Sequence, residues 1–421
     1  MQRKNRKSKE GIEPVNAHED VHEHEQVNVL GLGLAFLLAA CAPSPAPAES
    51  PAPIPQSAAP AQSARSPETM TDTNAGPSNT APATGAPADP GPSSFPLAKP
   101  TTLPLAAATS EDRVDRLLLD GDAAFERGDV AAAAKSYEAA RAAAPKRAAA
   151  AVGIARVRIA RTNVPADFAA GKGNKEIAAA VKDLRRAVQS EPGLGPAQVE
   201  LGRALLMLGD AQASLDSLRR GVVLLPSESE AHSALGVALL ATGHRSESLP
   251  ELARAVELDP GSAPRHGNYG TVLLMAGRVK DAVEQYEAQV KLADGDPRAH
   301  SDLGSALLFE NDFARGIAEL KKAIALDPQR ATFHTNLGYA YQQQGQLVEA
   351  IAEYRQAIQL DDKLASAWIN LATALARDPK TRGEARGALE KARAIDPTDP
   401  RVKANLDELD ALEKTEKNGK K

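Results

Sequence analysis

Four histidines, His232, His266, His300 and His334, stand 34 residues apart. Imidazole is the commonest metal ligand, so the first chemistry to test is metal binding. Zinc–nitrogen bonds are about 2 Å long, whereas equivalent residues on stacked helices lie about 8–10 Å apart. Two such rings cannot share an ion, and the spacing points to packing between helices. A second ladder holds Asn268, Asp302, Asn336 and Asn370 at the same interval. An amide donates and accepts at once, which suits it to pairing with an extended peptide backbone. The chain has one cysteine, Cys41, and that excludes an intramolecular disulfide or a Cys-rich metal centre. Gly171-Lys172-Gly173 lacks the spaced glycine and the hydroxyl of a phosphate-binding loop. His22 and His24 lie in an acidic polar run that reads as solvated rather than metal-binding. The residue patterns point to no catalysis, no cofactor, no metal and no small-molecule substrate.

These residues sit in a chain of 421 residues that changes composition twice. Aromatic residues make up 3%, too few for a core built around rings. Alanine carries much of the apolar fraction and favours close-packed helices. A net charge of −5 excludes a basic nucleic-acid surface spread over the whole protein. Residues 42–110 hold 16 of the 30 prolines and one aromatic, Phe95. Such a segment buries too little apolar surface to offset its ordering entropy, so 41–110 reads as a disordered tether.

Ahead of it, residues 27–40 form an apolar run of 14 residues. That is shorter than the ~20 a membrane-spanning helix needs and fits a signal-peptide core. Leu38-Ala39-Ala40-Cys41 resembles the lipobox of bacterial lipoproteins. The resemblance implies that 1–40 are removed, that Cys41 carries lipid, and, with Ala42 following, that the chain is anchored in the outer membrane facing the periplasm. Several acyl chains would hold it there stably.

From residue 114 landmarks recur every 34 residues. Leu201-Gly202, Leu235-Gly236, Tyr269-Gly270, Leu303-Gly304, Leu337-Gly338 and Leu371-Ala372 mark one position. Gly209, Gly243, Gly277 and Gly345 mark a turn, with Asn311 substituting once. Ala282/Tyr286 and Ala350/Tyr354 set a small residue four before a large one. These marks resemble the tetratricopeptide repeat family. The fold expected is all-α, a right-handed α-solenoid of about eight helix-turn-helix units over 111–399. Unit 2 carries an insertion at 161–174, 400–413 form a capping helix, and 414–421 form a disordered basic tail.

By that resemblance the 268/302/336/370 ladder faces a concave groove. Beside it runs an apolar strip of Leu240, Leu274, Met275, Leu308 and Phe309, with Tyr339 nearby. The implied function is a membrane-anchored scaffold for protein partners in the bacterial envelope, in assembly of a pilus secretin or a polysaccharide-export complex. Two alternatives stay open: a chaperone-like binder of extended peptides through the asparagine ladder, and a substrate-recruiting subunit of a separate enzyme.

Overall fold

The computed structural model describes residues 102–419, and the lipobox and most of the proline-rich segment fall outside them. Among the described residues are 17 helices and no β-strand. Unit 1 pairs α1 (Arg113–Glu126) with α2 (Val130–Ala143), and unit 2 pairs α3 (Ala148–Ala160) with α4 (Lys175–Ser190). Units 3 and 4 pair α5 (Gly195–Met207) with α6 (Ala211–Leu224), and α7 (Ser229–Ala241) with α8 (Arg245–Leu258). Units 5 and 6 pair α9 (Ala263–Met275) with α10 (Val279–Leu292), and α11 (Pro297–Phe309) with α12 (Phe313–Leu326). Units 7 and 8 pair α13 (Ala331–Gln343) with α14 (Leu347–Leu360), and α15 (Ala365–Leu375) with α16 (Arg382–Ile395). α17 (Pro400–Gly419) closes the array.

Local signals set each pair. Asp129, Asp210 and Asp312 accept main-chain N–H groups at the starts of α2, α6 and α12, satisfying donors a helix N-terminus leaves unpaired. The turn before α12 needs a left-handed residue, and Asn311 supplies it at φ 65°. Gly202 and Gly338 bring paired helices close: a Cβ at either would overlap Leu218 or Tyr354 of the second helix.

Every helix packs on its neighbours in sequence, and the first helices of successive units also touch, α1 on α3 through to α15 on α17. The first helices therefore form the inner layer. A hydrogen bond recurs along it. The fourth residue of each of units 3–8 donates to a carbonyl six residues earlier, at the end of the preceding unit. The six bonds run Gln198 to Pro192, His232 to Pro226, His266 to Pro260, His300 to Asp294, His334 to Pro328 and Trp368 to Asp362. The other imidazole nitrogen binds the second helix of the same unit, at Glu251, Gln285, Glu319 or Glu353. Both nitrogens of each ring are engaged in tying helices together, which leaves none to ligate a metal.

Two expected boundaries move. Residues 102–105, assigned to the disordered tether, pack on the array. Thr102, Leu103 and Leu105 are buried. The final helix extends to Gly419, beyond 413 and into the segment read as a disordered tail.

Candidate partner-binding groove

The asparagine ladder is buried in the seam between first helices. Asn268 is 1% exposed and Asn370 0%. Asn336 Nδ2 donates to Ser301 Oγ at 3.4 Å and Ser305 Oγ at 3.3 Å, both on the preceding first helix. The Asn336 amide thus joins neighbouring units, and Asn268, Asn336 and Asn370 are all buried rather than standing open in a groove. Asp302 is the exception in chemistry. It is half-buried, and its carboxyl accepts from Gln289 Nε2 at 3.5 Å. Burial pushes that carboxyl up to about 7.

The apolar strip divides. Leu240 and Leu308 belong to the core, Leu308 against Leu320 and Leu337. Leu274, Met275, Phe309 and Tyr339 are half-buried and keep some solvent access. Desolvation pushes the Tyr339 phenol up to about 12, so it stays a neutral donor.

The insertion in unit 2 sits on the end of α5. Ala169 and Gly171 donate main-chain N–H groups to the carbonyls of Leu206 and Met207, at 2.9 and 2.8 Å. The Met207 carbonyl, which the helix C-terminus would leave unpaired, is thus satisfied. Val164, Ala166 and Phe168 pack on the cluster that contains Leu206, Met207 and Leu240. Asp167 lies 3.5 Å from Arg298, which opens the first helix of unit 6. The insertion therefore covers part of the strip and touches an element four units further on.

Units 1–5 carry buried charges that the 34-residue landmarks do not announce. Arg156 Nη1 donates to Asp122 Oδ1 at 3.0 Å and Arg156 Nε to Glu200 Oε1 at 2.6 Å. Tyr137 Oη also donates to Asp122, at 2.8 Å. Glu230 takes Arg203 at 2.8 Å and Arg265 at 3.2 Å, and Arg265 also pairs with Asp259. The signal was available: Asp122, Arg156 and Arg203 occupy the same position of units 1, 2 and 3, inside helices otherwise rich in alanine and leucine.

The first of these networks holds residues 102–105. Arg156 Nη2 donates to the Leu103 carbonyl at 2.7 Å, and the Leu105 N–H donates to Asp122 Oδ2 at 2.8 Å. Leu103 packs with Val199 of unit 3, and Leu105 joins the cluster of units 1 and 2. Pro104 between them is exposed. The segment lies along the inner helices of three units.

Antiparallel helix pairs stacked at a 34-residue period, with first helices inside, define an α-solenoid repeat scaffold. The tetratricopeptide repeat pattern matches residues 233–297 and 301–365. Among solved structures, the APC/C hetero-tetramer Cut9-Hcn1 aligns with a TM-score of 0.51 at 18% identity, over 72% of this chain and 57% of its own. Pseudomonas aeruginosa pilF aligns with a TM-score of 0.43 at 19% identity, over 51% of this chain and 97% of its own. Desulfovibrio magneticus MamA gives 0.37 at 23%, over 40% and 95%. No curated protein matches the chain. Among the described residues, no helix is long and apolar enough to cross a membrane.

Proposed function

We propose that this chain is a lipid-anchored scaffold of the bacterial envelope that holds a protein partner on the inner face of units 5–7. The observation that carries the partner site is that Leu274, Phe309 and Tyr339, on the first helices of three consecutive units, stay half-exposed. The inner face of units 1–3 is filled by residues 102–105, and the end of α5 by the insertion. Apolar and aromatic side chains in a concave surface suit an amphipathic or extended partner segment. The anchor rests on the lipobox-like Leu38-Ala39-Ala40-Cys41, and Ala42 favours the outer membrane. Residues 42–101 would then let the array sample the periplasm away from its anchor. Assembly of a pilus secretin or a polysaccharide-export complex is the specific task we assign, by resemblance to envelope lipoproteins of this build. The chaperone-like alternative loses its proposed grip, because Asn268, Asn336 and Asn370 are buried between helices.

Crosslinking in intact cells followed by affinity capture and mass spectrometry tests this reading. The baits are the full chain, a Phe309→Lys/Tyr339→Lys variant, and Cys41→Ala. One dominant partner, lost with the double variant, is expected. Cys41→Ala should leave the membrane fraction. A partner list indifferent to Phe309 and Tyr339 would move the site elsewhere on the array. Leu240 and Leu308 are unsuitable for this control, since a charge in the core tests folding rather than binding.

A further inference from the structure

Residues 102–105 make their polar contacts through the main chain. The Leu103 carbonyl accepts from Arg156 and the Leu105 N–H donates to Asp122. Neither bond depends on the segment's side chains. The side chains that matter are Leu103 and Leu105, 1% and 4% exposed, which point inward on either side of an outward Pro104. That alternation is the period of an extended strand. Pro104 holds Leu103 extended and brings no N–H that would need a partner.

The site also suits an occupant. With the segment in place Arg156 is 4% exposed and Asp122 6%. Without it, one guanidinium N–H of Arg156 and the Oδ2 atom of Asp122 would turn to water. A charged donor and a charged acceptor make strong hydrogen bonds, so a main chain of any source that offers C=O and N–H at this spacing fits there.

We propose that the inner face of units 1–3 is a binding site for an extended segment with leucines two residues apart, and that residues 102–105 fill it as a displaceable plug. The occupant from outside is a partner segment of the same chemistry: a carbonyl for Arg156, a free N–H for Asp122, and two apolar side chains for the surfaces at Val199 and α1–α3. This inference extends the scaffold reading to a second site on the array. It rests on that reading only for the existence of a partner. The plug is continuous with residues 42–101, so an incoming segment would also release the chain that leads to Cys41. Because the plug is attached to its site, its effective concentration is high, and a free segment competes at a disadvantage until the plug is weakened.

The test uses the full chain and a fluorescently labelled peptide of residues 98–107, AKPTTLPLAA. Anisotropy titrations compare wild type with a Leu103→Ser/Leu105→Ser variant. The variant should bind the peptide at least tenfold more tightly than wild type. A peptide N-methylated at the residue matching Leu105 should lose at least tenfold, because Asp122 then has no N–H to accept. Equal weak binding to wild type and to a variant with unchanged helical circular dichroism would overturn the proposal. Should the variant not fold, native-state hydrogen exchange of wild type decides. A Leu105 amide that opens separately from α1–α3, and faster, supports a displaceable plug. An amide that exchanges only with global unfolding of those helices overturns it. Neither readout involves units 5–7, so this proposal can fail while the crosslinking result stands, and the reverse.

Discussion

The indole N–H of Trp368 donates to the carbonyl of Asp362 at 2.9 Å. In unit 8 this replaces the bond that histidines make in units 4–7 and Gln198 makes in unit 3. Three side-chain types place an N–H at the same point. What the position requires is a ring or amide donor able to reach the closing carbonyl of the preceding unit. A stacked array depends on such junctions, because each unit contacts chiefly its neighbours and stability is close to a sum over unit interfaces.

Trp368→Phe keeps a ring in place and removes the donor. The Asp362 carbonyl lies at an exposed turn and can turn to water, so the loss should be about 1 kcal/mol. Hydrogen exchange should accelerate in α15–α17 and stay unchanged in α5–α8. Acceleration spread evenly over the array would mean that the junction acts globally rather than between two units.

Stability should fall as pH rises above about 6.5, the ordinary value of an imidazole. Hydrogen bonds to Glu251 and Glu353 hold the His232 and His334 imidazoles above their ordinary value, against the opposing effect of burial. A base raised on folding contributes fully below about pH 6.5 and loses that contribution as pH climbs through its folded value. Asp302, pushed up to about 7 by burial, acts in the same direction. Its unfolded form ionises near pH 4, so the folded state weakens between about pH 4 and 7 and stays weakened above. Asp302→Asn inserts the residue that stands at 268, 336 and 370. Thermal melts should show this variant several degrees more stable than wild type at pH 8, and little changed at pH 4. A variant equal to wild type at both pH values would show that the Asp302 carboxyl is solvated.

The helix pairs, the unit boundaries, the insertion and the Asn311 turn were legible because each rests on a local signal repeated at a fixed interval. The orientation of the ladder was not. Whether Asn268 and Asn370 face a groove or a seam depends on how closely the first helices approach, and the 34-residue period does not encode that distance. Leu240 and Leu308 were misplaced for the same reason. Residues 102–105 were hidden differently. Their composition is that of the preceding tether, and they are ordered through partners such as Asp122 and Arg156, which come later in the chain. Charges at matching positions of adjacent alanine-rich helices are the signal that would have drawn attention to that contact.

Gly202 and Gly387 should respond to alanine in opposite directions. A Cβ at Gly202 would overlap Leu218, which is itself fully buried, so Gly202→Ala forces the α5–α6 pair apart at a cost of about 1–3 kcal/mol. At Gly387, inside α16, a Cβ meets nothing within 4 Å. There alanine removes only the entropy penalty of glycine in a helix, and a gain of up to about 1 kcal/mol is expected. Urea denaturation followed by circular dichroism measures both. Two destabilising substitutions would mean that a Cβ at Gly387 meets a neighbour within the array after all.

Glu230 carries the most consequential charge in the seam. It sits between Arg203 and Arg265 with 2% of its surface exposed, and each guanidinium takes a different carboxylate oxygen. Glu230→Gln preserves shape and one acceptor but leaves two cationic groups, from units 3 and 5, sharing a neutral amide. Removing one member of a buried ion network typically costs about 3–5 kcal/mol, because the remaining charges stay desolvated. Arg265 keeps Asp259, so the loss should fall at the lower end of that range. The loss should appear as an earlier urea midpoint with an uncoupling of units 1–3 from units 5–8, visible as two transitions where wild type shows one. Glu230→Leu combined with Arg203→Met and Arg265→Met should recover much of the stability, since an apolar trio of similar volume removes the charges altogether. If the triple variant is as unstable as Glu230→Gln, the network is required for how units 3–5 stack, and its replacement by packing alone is excluded.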